Sequence, residues 1–295
     1  MSAALIVNPQ ASRVTPELIL AVERELSRGG ATETLLTERA LHAVELAERA
    51  SQEHDRVYVF AGDGGYNEVV NGLARDVPVG FVPGGSTSVL PRALGLPRDP
   101  LAAARLLVES PVPRRISLGR VNGRRFTFSA GIGLDAELVR RVDALGRESG
   151  RRASDLAFAR NLVGILAERR GRLDPSMEVV GVGRVAAALV ANCDPYSFVG
   201  RIPLRVAPAA RFERGLDLVA PRQLRARTLP QVAWWLAAGR GQQRSRHVLY
   251  VHDADELRIV CDAPTPLQVD GEDLGDVEEA TFEAERDALQ VLVPR

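Results

Sequence analysis

Arg56-Val57-Tyr58-Val59-Phe60-Ala61-Gly62-Asp63-Gly64-Gly65-Tyr66-Asn67-Glu68-Val69-Val70-Asn71-Gly72-Leu73 joins a β-rich apolar run to a helical pattern through a glycine hinge that carries one carboxylate. Arg56 to Ala61 reads as a strand, and from Tyr66 onward Val69, Val70 and Leu73 share one helical face. The hinge therefore opens a helix. Glycines let a bound group come close to the backbone, and the free N–H groups of a first helical turn favour a phosphate. Asp63 would repel that phosphate unless a cation lay between them, which a magnesium nucleotide would provide.

The same rhythm extends on both sides. Ala4 to Val7 is a short strand, and Thr15-Pro16-Glu17 opens a helix with proline at its first position. Thr32 to Leu36 is a second strand, followed by a helix over Glu38 to Ser51. Val79 to Val82 is a fourth strand ending in Pro83-Gly84-Gly85-Ser86-Thr87-Ser88, with a helix over Val89 to Leu94. Alternation of this kind predicts a parallel sheet covered by helices, with ligands at the carboxyl ends of its strands.

Beyond Pro111-Val112-Pro113 the texture changes to short strands: Ile116 to Val121, Arg125 to Ser129, Val185 to Ala191, Leu216 to Val219, Leu249 to His252, Glu256 to Cys261 and Pro266 to Val269. This predicts an antiparallel β-sandwich. Helical insertions cover Asp135 to about Arg172 and Thr228 to about Gly239. The expected division is an α/β nucleotide-binding domain over residues 1–114 and a sandwich over 115–287, with 288–295 returning to the first as an extra strand.

The 295 residues contain no lysine, so all 38 basic residues are arginine. A P-loop and a protein kinase each need a lysine on the phosphates, so both designs are excluded, as is Schiff-base chemistry. Formal charge is zero, which gives no overall attraction to nucleic acid, and no recognition motif for it is present. Cys193 and Cys261 read as buried thiols of a reducing compartment. With no signal sequence and no membrane span in view, a cytosolic protein is expected.

Three segments carry candidate chemistry. The Gly62-Asp63-Gly64 turn and the Gly84-Gly85-Ser86 turn close two strands of one sheet and could face one another, giving amides and a hydroxyl for phosphate; the bland reading is two tight packing loops. In Leu267-Gln268-Val269-Asp270-Gly271-Glu272 a strand delivers two carboxylates into a turn, which suits a general base with an orienting partner. The bland reading there is a hairpin, since Asp-Gly is a common turn pair.

Gly62-Asp63-Gly64 with Asn67-Glu68-Val69-Val70-Asn71-Gly72-Leu73, Pro83-Gly84-Gly85-Ser86 with Arg92-Ala93-Leu94-Gly95-Leu96-Pro97, Ala130-Gly131-Ile132-Gly133-Leu134-Asp135-Ala136-Glu137, and Asp270-Gly271-Glu272 together resemble the diacylglycerol kinase catalytic-domain family, which includes soluble bacterial lipid kinases and sphingosine kinases. The resemblance implies an ATP domain, a β-sandwich and an active cleft between them. It implies that Asn8, Thr37, Gly62, Asp63, Gly64, Asn67, Gly85 and Ser86 contact ATP, that Asp270 and Glu272 activate a lipid hydroxyl, and that Mg²⁺ accompanies the nucleotide. Asp135 becomes a candidate for the lipid head group; read alone, it is a helix cap. Ala61, Gly65 and Ser88 stand where the family usually has glycine, threonine and asparagine. Glu213-Arg214-Gly215-Leu216-Asp217 resembles a magnesium-linked Asp-Asp-Gly-x-x-Asp region, so Asp217 and Glu213 are candidate metal ligands, with Arg214 opposite in charge to the pattern.

Two basic stretches suit transient contact with a membrane surface: Arg140, Arg141, Arg147, Arg151, Arg152, Arg169 and Arg170 with Leu162, Val163, Ile165 and Leu166, and Trp234-Trp235-Leu236 with Arg240, Arg244 and Arg246. The expectation is an ATP- and Mg²⁺-dependent lipid kinase acting on diacylglycerol or a related alcohol. A non-catalytic lipid- or nucleotide-binding member, or a kinase of a soluble acceptor such as NAD, are the alternatives, and a homodimer is left open.

Overall fold

Strand and helix alternate in the computed structural model as β1 (Ala3–Val7), α1 (Pro16–Leu26), β2 (Thr32–Leu36), α2 (His42–Glu53), β3 (Arg56–Ala61), α3 (Asp63–Gly72), β4 (Val79–Pro83), α4 (Val89–Ala93) and α5 (Pro100–Glu109). The structure describes residues 2–109, 111–149 and 155–295, and only the backbone of 146–149, 155, 156 and 159. Arg151 and Arg152 lie outside the described residues, and Arg147 is described by its backbone alone. Two compact units emerge, one of Met1–Leu118 with Arg286–Arg295 and one of Gly119–Glu285.

In unit 1, β1 pairs in parallel with β2 and β3, and β3 with β4, giving the order 2-1-3-4. Val291, in the chain's last strand, pairs in parallel with Val79 of β4. All of β1 and β4 is buried, as expected where helices cover both faces of a parallel sheet. α1 packs with α5 and α2 with α3. α3 sits so close to α2 that a methyl on Gly72 would meet the Val44 carbonyl oxygen at 2.3 Å. Tyr66 fixes α3 to the sheet: its ring meets Phe81 edge to face at 5.2 Å, and its hydroxyl donates to Val82 O at 2.9 Å. In this strand order the connections reverse between β1 and β3, which opens a crevice at their carboxyl ends.

Unit 2 follows β5 (Pro111–Val121) with β6 (Arg124–Phe126), β7 (Ser129–Ile132), α6 (Leu134–Ser149), α7 (Asp155–Glu168), β8 (Arg172–Leu173), β9 (Met177–Val179), β10 (Gly183–Val185) and β11 (Ala188–Ala191). β12 (Ser197–Val199), β13 (Ile202–Leu204), β14 (Leu216–Pro221), β15 (Leu224–Arg225), α8 (Leu229–Ala238), β16 (Val248–Ala254), β17 (Glu256–Val269) and β18 (Glu272–Pro294) complete it, β18 passing into unit 1 at Arg286. Its pairings are antiparallel, with β7 between β11 and β17 and β14 between β11 and β16. Alternate residues point into a core that includes Phe126, Ile132, Met177, Val190, Leu218, Ile259 and Phe282. The two phenylalanines meet edge to face.

One expectation about unit 2 is corrected here. Ile165 and Leu166, read above as apolar surface, are buried, because Leu166 packs with Leu173, Ala186 and Leu224. The nearby arginines are committed as well: Arg140 to Asp273 and Asp276, Arg141 to Glu137 and Glu168, and Arg169 to Glu137.

Candidate active site

The crevice between β1 and β3 holds a cavity of about 300 Å³. Asn8 and Thr37, each just past a strand, line it, with Ala61, Gly65 and Glu68 on the opposite side. Asn8 is set by two bonds: its amide donates to Phe60 O at 3.1 Å, and its Oδ1 accepts from the Gln10 amide at 2.9 Å. The Thr37 amide donates to Val7 O at 2.9 Å. Gly62 is the residue before α3 and has no side chain with which to cap it. The amides of Gly64 and Gly65 have no acceptor among the described residues, which leaves two donors of the first turn for an anion.

The two glycine turns of unit 1 touch. A methyl on Gly85 would lie 2.9 Å from Gly62 Cα, so only glycine allows this approach. The second turn is locked from within, because Ser88 Oγ bonds both the amide and the carbonyl of Gly85 at 3.1 Å. Ser88 itself is left-handed, with φ of 48°, a conformation asparagine adopts more readily than most residues and that fits the family's usual residue there. Asp63 Oδ1 accepts from the Leu90 amide at 3.3 Å, which puts its charge beside the start of α4. Ser86 is partly exposed, and its carbonyl accepts from Arg98 at 3.0 Å. Asn67 differs from its expected place. It is fully buried and bonded to Asn71, so it braces α3 and does not line the cavity.

The other two departures explain each other. A methyl on Gly65 would come within 2.6 Å of the Ala61 Cβ. The methyl carried at position 61 takes the space that a side chain at 65 would need.

In unit 2, Asp270 and Gly271 have φ of 49° and 84° and join paired Val269 and Glu272, the signature of a two-residue I′ hairpin. The hairpin reading and the carboxylate reading therefore describe one object. Asp270 is buried and takes four donors: the Thr127 amide at 2.7 Å and hydroxyl at 2.9 Å on Oδ2, and the Phe128 and Ser129 amides at 2.9 and 3.2 Å on Oδ1. A carboxylate has about four lone-pair directions, so all of them are engaged. Glu272 is partly exposed and accepts from Arg124 at 3.0 Å.

Asp135 lies in the first turn of α6 but does not cap it. Its oxygens accept from Tyr196 OH at 2.7 Å and Gln268 Nε2 at 2.6 Å, one donor each. Burial pushes its carboxyl above the usual aspartate range, and these two bonds pull the other way. Gln268 Oε1 accepts from the Gly271 amide, tying Asp135 to the hairpin turn.

The candidate metal ligands do not fit a metal. Asp217 is buried and takes donors from Tyr250 OH at 2.7 Å, His252 Nδ1 at 2.7 Å and the Asp253 amide at 3.1 Å. Arg214 sits 2.9 Å from His252 Nε2. A guanidinium can only donate, so it assigns the ring proton to Nδ1. Glu213 is exposed and joins no group of three metal-ligating side chains among the described residues. The group that does form, Glu33, Glu53 and His54, lies at the amino end of β2, away from the strand ends that make the cavity.

Sequence reasoning missed the arginines of unit 1. Arg13 donates its amide to Gly84 O at 3.0 Å and a guanidinium N–H to Arg98 O at 2.7 Å, while Arg98 holds Ser86. Burial and the neighbouring Arg98 charge lower the Arg92 pKa, with Asp63 opposing. The signal was available in the missing lysine, since phosphate chemistry without lysine needs arginine close by. Arg39, which lines the cavity beside Thr37, was missed as well.

The class defined by this geometry is an α/β domain with a cavity at its switch point and paired glycine turns at the ends of β3 and β4, joined to an antiparallel strand-rich domain. The family model described as Diacylglycerol kinase catalytic domain matches residues 2–121. A diacylglycerol kinase of Bacillus subtilis (strain 168) is 37% identical over 143 residues, 46% of this chain and 47% of its own length. Another, from Staphylococcus carnosus (strain TM300), is 32% identical over 145 residues, 46% of each chain. The matches span about half the length of these curated relatives. The crystal structure of a diacylglycerol kinase from Bacillus anthracis str. Sterne is similar in fold throughout, with a TM-score of 0.73 and 17% identity over 99% of this chain and 96% of that one. No described helix is long and apolar enough to cross a membrane.

Proposed function

We propose that the chain is an ATP-dependent lipid kinase that transfers the γ-phosphoryl group to the hydroxyl of diacylglycerol or a related lipid alcohol. The observation that carries this reading is the backbone contact between the Gly62 and Gly85 turns, beside two helix-start amides without acceptors, inside the stretch that matches the catalytic family. In the reaction the lipid oxygen bonds the γ-phosphorus as the bond to the β–γ bridging oxygen breaks, giving ADP. The hydroxyl proton passes to a carboxylate.

Asn8 and Thr37 hold the nucleoside end, and Gly62, Gly64, Gly85 and Ser86 face the phosphates. Asp63 is the residue that would face Mg²⁺ carried by the nucleotide, and the ion would supply positive charge to offset the phosphates. Arg13, Arg92 and Arg98 add fixed positive charge where other phosphate sites use lysine. In unit 2 the Asp270-Gly271-Glu272 turn prepares the acceptor oxygen. Glu272, partly exposed beside Arg124, is the residue assigned to receive the proton, since the lone pairs of Asp270 are engaged. Asp135 keeps a second lone pair on each oxygen and can accept from a lipid head group. The substrate places the protein in the cytoplasm with transient contact at a membrane surface.

The test is ADP release by the full chain with MgATP and diacylglycerol in detergent micelles, with NAD, and with no acceptor. Release that depends on the lipid alcohol is expected. Release with NAD alone would replace the reading with a soluble-acceptor kinase, and no release with any lipid alcohol would make the protein a binder.

A further inference from the structure

Two features of unit 2 take no part in the site above. One is a cavity of about 410 Å³ lined by Arg170, Gly171, Arg172, Arg225, Ala226 and Arg227. Its walls are tied together: Arg172 pairs with Arg225 across β8 and β15, and the Ala226 amide donates to Gly171 O at 2.8 Å. Asp174 bonds Arg172 and Gln223. Arg170 and Arg227 have no carboxylate partner among the described residues. Four guanidinium groups thus answer to one acid.

The other feature is α8, which begins at Leu229, two residues after Arg227. Leu229 and Val232 pack against Leu166, Leu173 and Leu224, and this fixes which way the helix faces. No residue of α8 is buried, and its exposed positions Pro230, Gln231, Ala233, Trp234, Ala237 and Ala238 carry no charge. A helix face turned to water is ordinarily charged. Trp234 is 52% exposed, with the Arg240 guanidinium 5.6 Å from its ring. The β12–β13 hairpin joins the far end of the helix through Arg205 N and Leu236 O, and it presents exposed Val199 and Ile202 around Arg201. From Leu218 to His252 the sequence has six arginines and no acid, in a chain whose formal charge is zero.

We propose that unit 2 docks on an anionic phospholipid surface, with the uncharged face of α8 in the interface and the arginine-lined cavity holding a lipid phosphate. The chemistry matches on both counts. The planar guanidinium fork fits phosphate oxygens, and tryptophan on an uncharged helix face settles at the head-group boundary. Arg140, Arg141 and Arg169 of the first insertion are ion-paired and are thereby set aside, while Arg170 and Arg172 at its end belong to the cavity. The inference rests on the lipid kinase reading only for why this chain would meet a bilayer.

The full chain is sedimented without ATP with vesicles of phosphatidylcholine, with and without phosphatidylglycerol. Binding to the anionic vesicles alone is expected, and it should weaken with salt. Arg170→Gln with Arg227→Gln should lower it about 25-fold, or about fivefold per arginine, and Trp234→Ser about tenfold. Melting curves establish that each variant folds; if the double variant does not, Arg227→Gln alone carries the fivefold test. Equal binding to neutral vesicles, or unchanged binding by folded variants, overturns the proposal. So does arginine-dependent binding of inorganic phosphate in calorimetry without vesicle binding, which would mark a site for free phosphate. A dimer that Trp234→Ser dissociates, with no vesicle binding, would assign α8 to a second copy. ADP release in micelles reads transfer alone, so the docking and kinase readings can fail separately.

Discussion

Unit 1 builds its candidate site from backbone, and unit 2 builds its own from carboxylates. In unit 1 the decisive atoms are the amides of Gly64 and Gly65 and the close approach of Gly62 and Gly85. In unit 2 they are the side chains of Asp270, Glu272 and Asp135, each defined by the donors around it. The difference is one of tolerance. A backbone site demands glycine and little else, whereas a carboxylate does what its neighbours allow: Asp270 and Glu272 stand two residues apart, one buried among four donors and the other partly exposed beside Arg124.

The sharpest way to break that contrast is to neutralise the two acids in turn. Asp270→Asn places an amide N–H₂ against at least one existing donor in a buried pocket, a loss of about 3 kcal/mol or more. The melting temperature should fall by about 10 °C, and turnover should go with it. Glu272→Gln gives up one partly exposed ion pair with Arg124, worth about 1 kcal/mol or less. Its melting temperature should stay within about 3 °C while turnover drops. Calorimetry and ADP release read both. An Asp270→Asn protein as stable as the wild type would mean that its four donors do not hold the hairpin.

Much of unit 1 was legible because its signals are local. β2 and β3 match their apolar runs residue for residue, and the buried pattern of β1 and β4 needs no partner to be read. Helix starts were less legible. α3 begins at Asp63, three residues before any apolar spacing can show it, since glycines carry no periodicity. α2 begins at His42, after left-handed Leu41, because Thr37 to Ala40 turn aside to line the cavity. In unit 2 the long strand β17 read as two pieces, broken where its register against β18 shifts between Val260 and Thr265. The surroundings of Asp270 could not be read at all. Its donors at Thr127 to Ser129 lie more than a hundred residues away in sequence, and no local pattern announces such a meeting.

The backbone side of the contrast sharpens at Ala61 and Gly65, whose departures from the family pattern read from sequence as two separate changes. With 2.6 Å between the two Cβ positions, Gly65→Thr alone should cost about 1–3 kcal/mol and weaken MgATP binding. Adding Ala61→Gly should return most of it. A double-mutant cycle on melting and on nucleotide binding is expected to give a coupling of about 1–2 kcal/mol. Additive effects would show that the two positions do not share one space.

The smallest effect concerns Asp135 and separates burial from bonding on the carboxylate side. Burial holds its carboxyl above the ordinary aspartate range despite the Tyr196 and Gln268 bonds. An acid with a raised folded pKa binds its proton more tightly in the folded state, so its contribution favours folding at pH below the ordinary aspartate value. That contribution is lost as pH climbs from there through the raised value. Asp135→Asn removes the titration and still fits the site: its carbonyl oxygen can accept from Gln268, and its amide can donate to the Tyr196 hydroxyl, which rotates to receive it. Stability measured from acid to neutral pH should therefore fall less steeply for the variant, with a difference of about 1 kcal/mol developing as pH rises. Parallel curves for the two proteins would show that Asp135 carries no raised pKa, and that its two hydrogen bonds offset the burial in full.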